Sequence, residues 1–223
     1  MKKSWALAVL LGWSCHAQQG PPPAPQTPRE VEQELERQLR GLVERREASL
    51  ANVPPPEQPT GESISVYRLH HKVPKAARKS FERAQKKSKA GDHAAAASEL
   101  ETAVQLDPNF AGAYNDLGTQ YVYLGRLVNA KTAFERASEL DPDFWNPQYN
   151  LGLISMQQGD LAGAAQNARL ALRHASEEAQ VHWLLGYALC LNAATRTEGL
   201  PHVQYAARTI KEAKQFLNLL QAH

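Results

Sequence analysis

The stretch from Ala111 to Phe144, AGAYNDLGTQYVYLGRLVNAKTAFERASELDPDF, is the part of the sequence that decides the fold. It contains two apolar runs with helical spacing, separated by Leu124-Gly125 and followed by Asp141-Pro142. Glycine permits a tight turn, and proline cannot continue a helix. The stretch therefore predicts two helices folded back on each other, a helical hairpin.

A shift of 34 residues superposes this stretch on the sequence before it and after it. The coinciding residues are Gly91, Gly125 and Gly159; Ala96, Ala130 and Ala164; Ala103, Ala137 and Ala171; Leu117, Leu151 and Leu185; Gly118, Gly152 and Gly186; and Leu106-Asp107-Pro108 with Leu140-Asp141-Pro142. Small residues at such positions let one helix approach another closely. Stacked hairpins bury their apolar faces only against neighbours, so at least three are needed.

Nine residues of the central stretch resemble the tetratricopeptide repeat family: Tyr114, Leu117, Gly118, Tyr121, Gly125, Ala130, Phe134, Ala137 and Pro142. The resemblance covers about 145 residues, with repeats at 77–110, 111–144 and 145–178 and a degenerate fourth repeat with a capping helix at 179–220. It implies an all-α fold, a right-handed superhelix of about 3 to 4 hairpins.

The flanking repeats depart from the family pattern in several places. Ser80 and Gln148 replace the leading aromatic residue, and Ser176 replaces the terminal proline. In the fourth repeat, Asn192 to Gly199 interrupts the register, and we expect Pro201 to open the last helix. Its apolar residues Phe216, Leu217 and Leu220 lie opposite charged ones, which is typical of a closing cap.

The resemblance also implies a concave groove, lined by the first helix of each hairpin, that accepts a polypeptide segment. The groove residues expected at the fifth position of these helices are Phe81, Asn115, Tyr149 and Trp183. Those expected one turn to either side are Arg78, Asn146, Gln85, Thr119 and Tyr187. Aromatic residues in this place are ready anchors, and amides can bond a peptide backbone. The alternative is that the aromatic residues pack against the second helices.

Residues 1–17 have the order of a signal peptide: Lys2 and Lys3, an apolar run from Trp5 to Trp13, then small residues. The run is about half of the roughly 20 residues that a membrane-spanning helix needs. Cleavage after Ala17 predicts an exported bacterial protein, periplasmic or secreted. The alternatives are lipid attachment at Cys15 and an uncleaved anchor.

Four segments precede the repeats. Residues 18–27 are a Pro-rich spacer, 53–62 a Pro-rich linker, and 63–73 an extended lead-in expected to lie against the first repeat. Residues 28–52 predict an amphipathic helix that begins after the capping residue Thr27. That helix is interpreted as mostly solvated, or as a pairing helix that gives weak self-association.

The sequence carries no motif for catalysis. It lacks a phosphate-binding loop, His-Glu-x-x-His, Gly-x-Ser-x-Gly and paired Cys-x-x-Cys motifs, and His174, His182 and His202 share no ligand spacing. The sequence therefore predicts a protein that is not an enzyme, with no cofactor and no metal. Cys190 is interpreted as a buried small hydrophobe.

Charge argues against a nucleic-acid partner. Without residues 1–17 the basic residues fall from 25 to 23, equal to the 23 acidic residues. Within Lys75 to Lys89, seven basic residues face one acidic residue, a local charge of +6. This stretch is interpreted as a solvated helix face, or as a patch for an acidic partner or anionic lipid headgroups.

These observations favour a non-catalytic interaction scaffold of the cell envelope that binds a protein or peptide in its groove. The alternative is a structural or assembly lipoprotein subunit, tethered through Cys15. A membrane contact is expected only through the leader or such a lipid anchor.

Overall fold

The computed structural model describes Tyr67 and residues 70–221, all within one compact unit, Arg45–His223. The predicted signal peptide, Pro-rich spacer, amphipathic helix and Pro-rich linker lie outside the described residues. Within them the chain is all-helical. The helices are α1 Lys75–Lys89, α2 His93–Leu106, α3 Ala111–Tyr123, α4 Leu127–Leu140, α5 Trp145–Gln157, α6 Leu161–Leu172, α7 Ala179–Cys190, α8 Arg196–Ala206 and α9 Lys211–Gln221.

Helices α1 to α8 form four successive hairpins, and α9 follows the last of them. The predicted turn glycines Gly91, Gly125 and Gly159 have φ of 78°, 69° and 77°. Only glycine adopts this left-handed conformation without steric cost. Two of the helices after these turns are capped by aspartate, since Asp92 Oδ1 accepts from Ala95 N at 3.0 Å and Asp160 Oδ1 from Gly163 N at 2.8 Å.

Prolines end the second helices of the first two hairpins, as predicted. Helix α2 ends at Leu106 and α4 at Leu140, each two residues before a proline. Asp107 and Asp141 at these ends are buried, and Asp107 Oδ1 accepts a hydrogen bond from Asn109 N at 3.2 Å.

The repeated helix glycines lie where two helices approach closely. A Cβ on Gly118 would lie 2.6 Å from the Phe134 ring, and one on Gly152 would lie 2.8 Å from Leu184. At Gly186 the nearest atom would be backbone, the Val203 nitrogen at 2.7 Å. The prediction that these positions permit close helix contact is confirmed.

The fourth hairpin differs from the sequence prediction. Helix α8 begins at Arg196, so Pro201 lies inside it instead of opening it, and the chain turns at Ala207 before α9 starts. The early start has a packing reason, because a Cβ on Gly199 would lie 2.7 Å from Cys190 Sγ and 2.9 Å from Gly186 O. This close crossing holds the first turns of α8 against α7.

The lead-in is anchored to the first repeat but is not extended where it is described. Tyr67 and His70 are helical, and His71 N donates to Tyr67 O at 2.8 Å. The Tyr67 hydroxyl donates to Asn109 O and accepts from Ala111 N at 3.0 Å. The Tyr67 ring stacks on His71, which lies 2.9 Å from Asp107. The lead-in therefore docks at the junction of α2 and α3.

The closing helix α9 has the predicted amphipathic character. Phe216 is 1% exposed and Ala213 is fully buried, while Lys211 and Lys214 are exposed. Among the helices that the structure describes, none combines the length and apolarity required to span a bilayer.

Candidate polypeptide-binding groove

Polar side chains join the first helices of the first three repeats. Asn150 Nδ2 on α5 donates to Asn115 Oδ1 on α3 at 3.2 Å, and Asn115 Nδ2 donates to Asp116 Oδ1 at 3.3 Å. Gln85 on α1 also hydrogen-bonds the Asp116 carboxyl. We call these four residues, Gln85, Asn115, Asp116 and Asn150, the polar seam.

The polar seam contains one carboxyl group whose pKa is unusually high. Burial raises the pKa of Asp116 to about 6, although the hydrogen bonds from Asn115 and Gln85 act in the opposite direction. The carboxylate is therefore largely charged at neutral pH and takes up a proton in mild acid. Its amide neighbours can donate to the charged form and rotate to accept from the neutral one.

Aromatic residues occupy the corresponding place in the last repeat. Phe216 of α9 packs on Trp183 and Tyr187 of α7, with ring centroids 5.4 Å and 5.0 Å away, and Trp183 and Tyr187 lie 5.0 Å apart. All three residues are buried. We call them the aromatic closure.

The predicted aromatic row is packed within the protein. Phe81 is half-buried with its ring 4.9 Å from that of Phe110, and Tyr149 is buried with its ring 6.0 Å from that of Trp145. Tyr149 shares a core cluster with residues of the second helix α6, in line with the alternative interpretation of the row. These rings support the first helices from within.

The nine predicted groove residues differ in their exposure to solvent. Arg78 and Gln85 are exposed and Thr119 is half-buried, whereas Asn115 and Asn146 are 8% and 6% exposed. Thr119 Oγ1 donates to Asn115 O at 3.1 Å, and Arg78 donates to Val73 O at 3.3 Å. The accessible members therefore lie on α1 and α3, and Trp183 and Tyr187 lie beneath Phe216.

Sequence reasoning missed Asp116 and Asn150, and it assigned Phe216 to the closing cap without placing it over the groove residues. The 34-residue shift does pair Asp116 with Asn150, which are neighbours in sequence of the predicted groove residues Asn115 and Tyr149. That pairing of polar residues was the available signal for the seam. No repeat position pointed to the contact of Phe216 with Trp183 and Tyr187, because the fourth repeat is out of register.

The fold brings two histidines together that the sequence kept apart. His182 and His202 lie with their Nδ1 atoms 2.8 Å apart, and His182 Nε2 lies 2.9 Å from Ser176 O. Burial, then the neighbouring His182, lowers the pKa of His202. No group of three or more metal-ligating side chains occurs within the described part of the chain.

Cys190 is fully buried and unpaired, as predicted. Burial raises the pKa of its thiol to about 11, and the Arg196 charge opposes this weakly. The thiol is therefore protonated at neutral pH and lies against Gly199, where it fills space.

Stacked helical hairpins with a repeat of 34 residues define a class of helical repeat proteins. Residues 115–179 match the family model described as tetratricopeptide repeat. The family model thus matches the central part of the chain, where the structure has successive helical hairpins.

Curated relatives match over a short part of their length. Superkiller protein 3 of Schizosaccharomyces pombe is 33% identical over 79 residues, which are 35% of this chain and 6% of that protein. Superkiller complex protein 3 of Mus musculus is 29% identical over 85 residues, 38% of this chain and 5% of that protein. The chain thus spans about a twentieth of the length of these relatives.

Solved structures share the fold at low sequence identity. MamA from Desulfovibrio magneticus has a TM-score of 0.61 at 18% identity, covering 68% of this chain and 86% of that one. YrrB, described as a TPR protein with an unusual peptide-binding site, has a TM-score of 0.57 at 19% identity, covering 66% of this chain and 76% of that one.

Proposed function

We propose that this protein is a scaffold that binds a segment of another polypeptide along the first helices of its first three repeats. The segment lies over the polar seam and contacts Gln85 and Thr119. Asn115 supports Thr119 from beneath. No chemical step is assigned to the groove, and the protein acts by holding its partner.

The proposal rests on the exposure of one row of residues. Gln85, Thr119 and Tyr187 occupy the same position of their repeats, yet the first is exposed, the second half-buried and the third buried under Phe216. The open part of the row offers amide and hydroxyl groups, which can bond a peptide backbone with little demand on its sequence. The closed part offers nothing to a partner.

Recognition of a backbone suits this surface better than recognition of an acidic terminus. Arg78 is the one basic residue among the nine predicted groove residues, and its guanidinium already donates to Val73 O. Several cations on successive helices would be needed to neutralise a carboxylate there. We therefore assign the groove to an internal or extended segment.

The localisation belongs to the same proposal. The order of residues 1–17 favours export, so the partner is sought in the cell envelope or outside the cell. The second candidate is a structural or assembly subunit of an envelope complex held by lipid at Cys15. Labelling of the chain with lipid, abolished by Cys15→Ser, favours that candidate.

Site-specific photocrosslinking tests the groove. A photoreactive amino acid replaces Thr119 in one variant and Val128 in a matched control, where Val128 on α4 is 81% exposed. After irradiation in the native cells, we expect a discrete polypeptide adduct from position 119 that position 128 does not form. Mass spectrometry of the adduct identifies the bound segment.

The test needs one folding control, and one outcome would contradict the proposal. Both variants must show the helical circular dichroism of the parent chain. Equal adducts from positions 119 and 128 would mean that the groove has no special role, and the proposal would then fail.

A further inference from the structure

Charge is distributed unevenly over the described helices. Helix α1 carries seven basic residues and one acidic residue, a net charge of +6. The eight other described helices carry six basic and seven acidic residues, a net charge of −1. The positive field of the described chain is therefore concentrated on its first helix.

Five lysines form one exposed face of α1, and we call them the lysine face: Lys75, Lys79, Lys86, Lys87 and Lys89. At the 3.6 residues per turn of an α-helix they fall within an arc of about 160°. The residues Ala77, Ser80 and Ala84, buried against the neighbouring helices, lie on the opposite side. Lys75, Lys79, Lys86 and Lys89 therefore point away from the buried side of α1, and Lys87 lies nearer to α2, where its charge lowers the pKa of Glu99.

The arginines of α1 form hydrogen bonds to neighbouring groups, whereas Lys87 acts on Glu99 of α2 through its charge alone. Arg83 binds Glu99 of α2 through two hydrogen bonds, 2.9 Å from Nε and 2.8 Å from Nη2, and these bonds hold the pKa of Glu99 below its ordinary value. Within the described residues, none of the five lysines forms a salt bridge. Among the described residues, the cations of α1 that form neither an ion pair nor a hydrogen bond are therefore ammonium groups.

We propose that the lysine face binds the anionic headgroups of a lipid bilayer. This surface shares helix α1 with Gln85 of the polar seam, so the protein would hold its polypeptide partner beside a membrane. The contact adds to any attachment made by the leader or by Cys15, and it requires neither.

The chemistry of the face favours a bilayer over a protein partner. Ammonium groups are hydrated point charges on flexible stems, suited to a diffuse layer of anions, whereas paired carboxylates in proteins are matched better by the fork of arginine. The lysine face also contains no exposed aromatic or large aliphatic side chain to anchor a protein interface. Five lysines along a helix of about 22 Å present such a surface, in which Glu82 is the single acidic residue.

Vesicle binding by the full chain tests this inference. The first variant carries Lys79→Gln, Lys86→Gln and Lys87→Gln, and the matched control carries Lys131→Gln, Lys211→Gln and Lys214→Gln. All six lysines are exposed, and both variants lose three positive charges. Each is sedimented with vesicles of equal parts phosphatidylglycerol and phosphatidylcholine, and with vesicles of phosphatidylcholine alone.

We expect the salt-sensitive part of binding to the anionic vesicles to fall about fivefold for each lysine removed from α1, and therefore about a hundredfold for the first variant. The control should bind within about twofold of the parent, because screening limits the field of distant charges to about 8 Å at physiological salt. High salt or neutral vesicles should abolish this part of the binding.

Two results would overturn the inference. One is equal loss of binding in the two variants, because general charge would then explain it. The other is the absence of salt-sensitive vesicle binding by the parent together with binding of soluble poly-glutamate that only the first variant loses. That second result assigns the lysine face to an acidic polypeptide.

Discussion

The polar seam and the aromatic closure occupy matching places in the repeat array, yet they have opposite chemistry. In the first three repeats, amides and one carboxyl group join α1, α3 and α5. In the last, Phe216 packs on Trp183 and Tyr187. The repeat therefore fixes where neighbouring first helices meet, and the side chains decide whether that place stays open to a partner or is sealed.

The two regions also contribute differently to stability. A buried aromatic ring removes a large apolar area from water, whereas hydrogen bonds between side chains replace bonds to water and stabilise little on balance. The aromatic closure should thus hold the end of the array together. The polar seam is left free to exchange its hydrogen bonds with a partner.

Removing the ring of Phe216 should have the largest effect. We expect Phe216→Ala to lower the free energy of unfolding by about 3 to 5 kcal/mol, because the ring is 1% exposed and leaves a cavity. Asn150→Ala in the polar seam should cost about 1 kcal/mol. Urea unfolding followed by circular dichroism measures both, and similar losses would contradict the difference between the regions.

Adding a methyl group at the repeated glycines should have the next largest effect. Gly186→Ala meets the backbone nitrogen of Val203, which cannot move without shifting α8, and should cost about 2 to 3 kcal/mol. Gly118→Ala meets the ring of Phe134, a side chain that can tilt, and alanine regains about 1 kcal/mol of helix propensity. We therefore expect a smaller loss at position 118, measured in the same way. Equal losses of stability in the two variants would show that the backbone of Val203 and the side chain of Phe134 make room for the methyl group equally easily.

Asp116→Asn should change stability in a pH-dependent way. Burial raises the pKa of Asp116 from 3.8 to about 6, so the folded chain holds a proton that the unfolded chain releases between these values. The stability that this group contributes is full below about pH 3.8 and is lost as the pH rises through about 6. Asp116→Asn removes the ionisable group, so the variant does not lose this stability as the pH rises.

We expect Asp116→Asn to be more stable than the parent by about 1 kcal/mol at pH 7.5, a figure reduced for the partial exposure of the side chain. At pH 4 the difference should be nearly gone. Thermal unfolding at the two pH values measures it. A gain that is equal at both values would show that the charge of Asp116 is not the cause.

Tyr67→Phe should have the smallest effect. The change removes the hydroxyl that donates to Asn109 O and accepts from Ala111 N, and we expect a loss of about 1 kcal/mol. The loss should be local, so proteolysis near the lead-in should accelerate before global unfolding changes. An unchanged rate of cleavage there would mean that the hydroxyl does not anchor the lead-in.

The repeating part of the fold could be predicted from the sequence because its signals recur. Gly125 and Pro142 have counterparts one repeat away, and each performs the same backbone task at every occurrence. The fourth hairpin could not be predicted in detail. Its start at Arg196 depends on the tertiary contact between Gly199 and Cys190, which no local pattern encodes.

The repeat register of the candidate groove residues could be read from the sequence, but their exposure could not. The repeat register puts Thr119 and Tyr187 at equivalent points of the first helices of the second and fourth repeats. Register cannot show that Phe216, some 30 residues further along the chain, covers one of these residues and leaves the other accessible. The exposure of a groove residue depends on such distant contacts.

The most direct test of the account is the affinity of the crosslinked segment, made as a synthetic peptide, for the parent chain and two double variants. Gln85→Ala with Thr119→Ala alters the open row, and Val128→Ala with Lys131→Ala is a matched change on α4. If the segment lies over the polar seam, the first pair weakens binding about tenfold or more and the second leaves it unchanged. Equal affinity of all three proteins would contradict a polypeptide-binding groove on the first helices.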